Sequence, residues 1–375
     1  MYYAKEFVDR LYQSEHIVIF GAHLVAKEAA FCLMGKPYYL KISNFIVTSL
    51  KGNPAELLGI PVIDVEEGKK YYKDAFVLVA MMERHLHEVI SLLHKEGFSN
   101  VISLGFESDL WSQLRGNYFR EMRLEQGKQY LTLESELERA FCSENKPYND
   151  IRVYMVRCHT DRELQADLSG YSWETTIQAG AALTEQQISE VQDNQGKHIS
   201  YKNKQYCELT ALYWIWKNNH SDFAGLCHYR RHFNLNKDLL DRLRSSDIDV
   251  VLTIPVLNFP DVRTVYANDH TKSDWDIMLQ VLEELHPEYR KTAEIVQNGV
   301  FYYAYNMMIA RKEILNAYCE WLFPVLECCE RRCGKKDNAY QNRYVGFLAE
   351  RLMTVYFVHH ENQFKIVYAE KTFLN

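Results

Sequence analysis

Short apolar runs alternate with stretches of helical period along the first hundred residues, and a chain patterned in this way has few folds open to it. His16-Ile17-Val18-Ile19-Phe20 reads as a buried strand, Gly21-Ala22-His23 as a turn, and Leu24 to Leu33 as a helix stopping near Gly35. Tyr38 to Ile42, Pro61-Val62-Ile63 and Ala75 to Ala80 read as strands, Glu83 to Lys95 as a helix stopped by Gly97, and Val101 to Leu104 as the last strand. Strands separated by helices pair in parallel through right-handed crossovers. The pattern predicts an α/β chain that opens with a small Rossmann-like parallel-sheet domain over residues 1–108.

Residues 109–149 turn polar and Glu-rich, helical in pattern from Tyr118 to Phe141, and read as a helical linker ended by Pro147-Tyr148-Asn149-Asp150. A strand then restarts at Ile151 to Val156, opening a second α/β domain over 150–375. Within it, Asn203 to Asn218 reads as one helix and Phe223 to Cys227 as an apolar strand. Asp249 to Leu252 and Phe301 to Ala310 read as further strands; Trp275 to Leu285, Lys312 to Cys329 and Tyr344 to Phe357 read as helices. The expectation is a mixed α/β sheet of nucleotide-binding type. Two domains suit a length of 375 residues.

A net charge of −7 argues against nucleic acid as a main partner, since gripping phosphate backbones takes an excess of Lys and Arg. The nine cysteines show no CxxC pairs at zinc-finger spacing, and Cys328, Cys329 and Cys333 have no histidine pair beside them. No metal centre is therefore expected, and reduced thiols in the cytoplasm are. Met1 to Arg10, interrupted by Glu6 and Asp9, does not read as a signal peptide, and runs such as Phe76 to Met82 are too short to span a membrane. The 26 tyrosines fit half-buried sheet positions as well as stacking on bases and bonding to sugars.

Two segments carry the chemistry-bearing residues. Gly21-Ala22-His23-Leu24-Val25-Ala26 sits where a dinucleotide fingerprint would, yet only its first glycine is present. Richer is Gly225-Leu226-Cys227-His228-Tyr229-Arg230-Arg231-His232-Phe233, in which an apolar strand delivers two arginines, two histidines and a tyrosine at its carboxyl end. Ligands bind at such strand ends in open α/β sheets, and paired arginines suit a diphosphate; a solvated basic corner is the plain alternative. A polar stretch, His198 to Asn203, precedes the helix on which Glu208 lies, either at the surface or positioned to accept from a sugar hydroxyl. Asp247-Ile248-Asp249 and Asp274-Trp275-Asp276 imitate an Asp-x-Asp motif, but the first opens a strand and the second begins a helix.

Several ordered blocks together resemble a bacterial family of capsular and exopolysaccharide glycosyltransferases, domain of unknown function 4422. They are Gln178 to Leu183, Ile199 to Asn203, Tyr206 to Thr210, Tyr213 to Asn218, Gly225 to Arg231, Tyr305-Asn306-Met307, Tyr318 to Phe323 and Arg343 to Leu352, spanning about Ile151 to Ala369. The resemblance implies a GT-A-like domain that moves a sugar from a nucleotide diphosphate, often UDP, to a glycan or lipid-linked oligosaccharide. It also implies a cytoplasmic location, with peripheral contact at the inner face of the membrane. By position, donor binding falls to His159, Gln178, Gly180, Lys202, Asn203, Glu208, His228, Tyr229, Arg230, Arg231 and Asn306. The Phe223 to Arg231 strand occupies the place where most GT-A enzymes carry Asp-x-Asp. Guanidinium and imidazolium groups there would neutralise the leaving group without a divalent metal; magnesium or manganese are the ions to test against that expectation. Where the family has more Asp before its Ile-Ser block, this chain has Asp193-Asn194-Gln195-Gly196-Lys197-His198.

An inverting transfer needs a base for the acceptor hydroxyl, and Asp269, His270 and Glu350 are the candidates. His270 reads equally as a structural histidine, and Glu350 as an ion-pair partner of Arg351. A retaining transfer would not need that base. Two other functions stay open on sequence alone. One is a non-catalytic nucleotide-sugar or glycan-binding module in a polysaccharide-synthesis complex; the other, resting on the Gly21 turn, is an NAD-dependent oxidoreductase.

Overall fold

A computed structural model describes residues 2–140, 149–164 and 166–374. The chain divides into two compact units, Met1–Tyr130 and Leu131–Asn375. Phe141, Pro147 and Tyr148, at the end of the segment read as a linker, lie outside the described residues.

The first unit is built on six strands: β1 (Ile17–Phe20), β2 (Asn44–Val47), β3 (Glu56–Leu57), β4 (Ile60–Asp64), β5 (Phe76–Val79) and β6 (Asn100–Ser103). They lie in the order β3-β4-β2-β1-β5-β6, all parallel except the short β3 beside β4. Without β3, the parallel strands run 3-2-1-4-5 in chain order, an open parallel sheet. β1 and β2 are buried throughout, which is why β1 reads as an unbroken apolar run. Gly21 takes a φ of +120°, and a Cβ there would lie 2.9 Å from the Ala80 carbonyl oxygen, so the tight first turn demands glycine.

Tyr38 to Ile42 is not a strand. Tyr38, Leu40 and Ile42 are buried in alternation, but Leu40 N–H bonds back to Leu33 O and the ladder begins only at Asn44. Tyr38 and Tyr39 turn back on Gly35, with Tyr39 at a φ of 48°, so the period of two reports burial against the core, not sheet pairing. The segment read as a helical linker forms two separate helices. Asp109–Glu125, capped by Ser108, buries Trp111, Leu114 and Phe119 within the first unit, while Leu133–Ala140 packs in the second against Lys237–Arg244 and the strand Ile366–Ala369.

The second unit contains β7 (Ile151–Arg157), β8 (Thr175–Gln178), β9 (Val191–Gln192), β10 (Phe223–His228), β11 (Arg231–Phe233), β12 (Val250–Thr253), β13 (Val256–Leu257), β14 (Phe301–Tyr302), β15 (Met308–Arg311), β16 (Ile366–Ala369) and β17 (Lys371–Phe373). Its main sheet runs β16-β12-β15-β10-β7-β8-β9, parallel except for β15, which is antiparallel to both neighbours. β11 turns back antiparallel on β10 and pairs with β17, while β13 and β14 form a small separate ladder. This is a GT-A-like α/β architecture. At the crossing of β10 and β15, a Cβ on Gly225 would lie 2.2 Å from Met308 O, so the two central strands meet only because that position is glycine. Beneath the sheet, Val153, Met155, Phe223, Cys227, Phe233, Leu243 and Ile309 form one apolar cluster.

Candidate active site

Two predicted elements are broken, and the breaks build the site. The helix expected over Asn203 to Asn218 is interrupted at Cys207, whose φ of 50° and ψ of −129° end Asn203–Tyr206 before Leu209–Asn218 begins. The strand expected over Phe301 to Ala310 survives only as β14 and β15, because Tyr305 and Asn306 between them take φ of 71° and 51°. Non-glycine residues held at positive φ are costly and cluster where a fold must aim side chains.

The break at Cys207 releases Glu208, whose side chain does not cap the helix it begins. Instead its Oε1 accepts a 2.7 Å bond from Asn306 Nδ2, which also donates to Gly346 O at 3.3 Å. Asn306 is fully buried, and its Oδ1 has no hydrogen-bond partner. From the neighbouring helix Tyr344–His359, Glu350 Oε1 accepts from Tyr305 N–H at 2.6 Å and Oε2 from Arg351 Nη1 at 2.6 Å. His228, at the end of β10, reaches the same loop: its Nε2 lies 2.7 Å from Tyr305 O. A carbonyl only accepts, so that nitrogen carries the proton.

Burial raises the Glu350 carboxyl pKa; Arg351 and the Tyr305 N–H oppose the shift, and Glu208 adds to it. Burial lowers the His228 pKa, with Arg231 acting the same way and Glu208 and Asp161 opposing. On balance these surroundings favour the neutral form of His228 in the free protein. The positive charge rests on the arginines. Arg231 lies over the Tyr305 ring at 4.4 Å, and Arg230 over Phe373 at 4.4 Å with its Nε donating to Leu374 O at 3.1 Å. Both are half-buried and oriented by aromatic faces, not loose in solvent.

Other residues read from the sequence serve the surrounding frame. Gln178 uses both ends of its amide on backbone, donating to Gln186 O at 2.7 Å and accepting from Ile188 N at 2.9 Å. Gly180, at φ +69°, lies against Asn203, which donates to Cys207 O and Thr210 Oγ1 and so secures the helix break. Lys202 pairs with Glu330 at 2.6 Å. His159 lies beyond the end of β7, with its Nδ1 3.6 Å from Cys158 Sγ. Tyr229 donates its N–H to Val156 O, and its ring packs on the apolar cluster beneath the sheet. Asp269 is exposed at the end of Val262–Asp269; His270 packs face-on to Phe347 at 4.1 Å, its pKa pushed down to about 3 by burial and by Arg351. The charge of Arg351 acts on both. The two Asp-x-Asp imitations are engaged elsewhere: Asp249 binds Arg311 and the Lys365 N–H, and Asp274, fully buried, binds Lys336.

Three residues not singled out above contribute. Asp161 accepts from Cys158 N–H at 2.7 Å on the loop after β7, its pKa raised by burial, and it faces Arg157, His228 and Arg343. Arg343 Nε bonds Cys207 Sγ at 3.2 Å. Asp193, buried, accepts from Gly180 N–H, Ala181 N–H and the Ser200 hydroxyl. Nothing in a single sequence marks Asp161, though Arg343 heads the block that ends at Leu352 and Asp193 is the acid that remains before the Ile-Ser block.

The arrangement brings two half-buried carboxylates, Glu208 and Glu350, the amide of Asn306 and the guanidiniums of Arg230 and Arg231 around the carboxyl end of the central strand. Residues 153–362 match the family described as Domain of unknown function (DUF4422). A solved structure described as the apo form of the bifunctional glycosyltransferase WbbM matches with a TM-score of 0.51 and 25% identity, over 60% of this chain and 46% of that one. The present chain thus spans less than half the length of that protein. No curated protein matches it. Among the described residues, no helix is long and apolar enough to cross a membrane.

Proposed function

This chain belongs to the DUF4422 family, and from that membership and the geometry at the end of β10 we propose that it transfers a sugar from a nucleotide-diphosphate donor to a glycan. The observation that carries the reading is the convergence of Arg231, His228, Glu208, Asn306 and Glu350 on one strand end. The likeness to a glycosyltransferase supports it.

In this reading Arg230 and Arg231 neutralise the donor diphosphate, and Glu208 with Asn306 holds sugar hydroxyls. For an inverting transfer, the acceptor oxygen attacks the anomeric carbon, the bond from that carbon to the diphosphate oxygen breaks, and the acceptor proton passes to Glu350. A carboxyl with a raised pKa is the stronger base for that step. The guanidiniums meet charge that develops on the leaving diphosphate, preorganised in a low-dielectric corner. Asp161, Glu208 and Glu350 face this corner but do not converge as metal ligands; among the described residues only Glu174, Cys227 and His232 do so. The donor is proposed to be UDP-linked, and the acceptor a growing surface polysaccharide or lipid-linked oligosaccharide, reached from the cytoplasmic side of the membrane.

The test is release of nucleoside diphosphate from a panel of nucleotide sugars, with and without glycan acceptors. Turnover of at least one donor is expected, with a rate that changes less than about twofold when Mg²⁺ or Mn²⁺ is added, as charge neutralisation by arginine requires. Donor binding with no turnover on any acceptor would leave a nucleotide-sugar-binding module instead, and strict dependence on added Mg²⁺ or Mn²⁺ would remove the arginine mechanism.

A further inference from the structure

Cys227 and His232 stand at the two feet of the turn that carries His228, Tyr229, Arg230 and Arg231, one on β10 and one on β11. Glu174, immediately before β8, meets them from beneath. The Cys227 Sγ, a Glu174 carboxylate oxygen and a His232 ring nitrogen all lie within 4.8 Å of one another. The His232 side chain is 0% exposed and that of Glu174 3%, while Cys227 is fully buried in the apolar cluster with Met155 and Phe233.

Such a place ill suits a carboxylate. Glu174 Oε2 lies 2.8 Å from His232 Nδ1, and besides that imidazole the carboxylate meets the Cys227 thiol, a weak donor. A carboxylate this deep in an apolar core, held by one imidazole and a thiol, is expensive to keep ionised. His232 is oriented as metal-binding histidines are. Its Nε2 lies 3.1 Å from Tyr229 O, so that nitrogen donates to the carbonyl and Nδ1 is directed at Glu174. Tyr171 stacks on the ring at 4.1 Å and fixes its plane.

We propose that Glu174, Cys227 and His232 bind a divalent transition metal, zinc foremost, as a clip beneath the basic turn. Thiolate sulfur, imidazole nitrogen and carboxylate oxygen form a zinc-type donor set, and three protein ligands leave a fourth position open. Zinc bond lengths space tetrahedral ligand atoms about 3.3–3.6 Å apart, so side-chain rotations of roughly an ångström close the cluster on an ion. Binding displaces the Cys227 thiol proton and the proton shared between His232 and Glu174; two protons leave as three metal bonds form. The clip ties β8, β10 and β11 together under Arg230 and Arg231 without touching the sugar site. It does not depend on the transferase reading. Sequence spacing hides it, because Glu174 lies far upstream of the other two ligands.

The full chain is produced in zinc-supplemented medium, purified without chelator and assayed for metal content. About one zinc per chain is expected in the unmutated protein, against less than about a tenth of an equivalent in Cys227→Ser or His232→Gln. Since either variant could fail to fold, the unmutated apoprotein is also titrated with Co²⁺. A near-ultraviolet thiolate-to-cobalt charge-transfer band with visible d–d bands is expected, and Zn²⁺ alone should raise Tm. A folded, unmutated protein that gives no thiolate–cobalt band and takes up no zinc overturns the proposal and leaves Glu174, Cys227 and His232 a hydrogen-bonded core cluster.

Discussion

Glu350 holds its proton more readily than a solvated glutamate because burial penalises its charged form, while Arg351 and the Tyr305 N–H only partly offset that penalty. As a base it must be deprotonated, so kcat should rise with pH through the raised pKa. The acid limb of the rate profile is then expected above pH 4.5, the ordinary glutamate value. Glu350→Gln should lose kcat by on the order of 10²–10⁴-fold and lose that limb, with donor KM changed only a few-fold. Arg231→Ala should do the reverse, raising donor KM about tenfold or more as a charge-assisted phosphate contact disappears. Steady-state kinetics over pH separates the two. Equal losses in both parameters for both variants would mean that neither residue has the role given to it.

The elements that sequence patterning misread are those on which the site depends. β1 is buried along its length, β5 and β10 are so but for one half-buried end residue, β7 has a buried centre from Val153 to Val156 between two arginines, and Glu83–Lys95 has a full amphipathic period, so local pattern and tertiary position agree. Asn203 to Asn218 and Phe301 to Ala310 read as equally regular, yet the first is broken at Cys207 and the second at Tyr305 and Asn306. Asparagine tolerates a positive φ but cysteine and tyrosine do not favour it, so the surrounding tertiary contacts, more than propensity, impose the breaks. His228, Arg231, Glu208, Asn306 and Glu350 were legible as residue types in a suggestive order. Their meeting through the Tyr305 loop was not, nor was the participation of Asp161.

The strain is measurable. Cys207→Gly should be more stable than Cys207→Ala by about 1–3 kcal/mol in denaturant unfolding, since only glycine adopts φ 50°, ψ −129° freely. Equal stabilities would mean that the backbone relaxes and the break stores nothing. The helix end at His270 gives a second test. Its pKa is held near 3 against the ordinary 6.5, so the unfolded chain takes up a proton that the folded one refuses. This contribution is fully present above pH 6.5 and is lost as pH falls toward 3. Tm should therefore drop over that interval, and His270→Phe, which keeps the stack on Phe347, should drop less.

At the scale of the whole molecule, each unit carries its own core. Val18, Phe20, Ile46, Val77, Val79 and Leu93 cluster in the first, while Val153, Phe223, Phe233, Leu243, Ile309 and Val367 cluster in the second. Domains with separate cores fold as separate cooperative units. Every side chain placed at the candidate site, from Asp161 to Arg351, belongs to the second unit, and so do the strand end and both backbone breaks. A fragment spanning residues 131–375 should therefore unfold in a single denaturant transition and bind the preferred nucleoside diphosphate within about threefold of the full chain, a difference of less than 1 kcal/mol. The 1–130 fragment should fold but leave that ligand unbound. Isothermal titration of both fragments decides the matter: a folded 131–375 fragment that has lost binding would place an essential contact in the first unit, and the convergence around His228 would then be only part of the donor site.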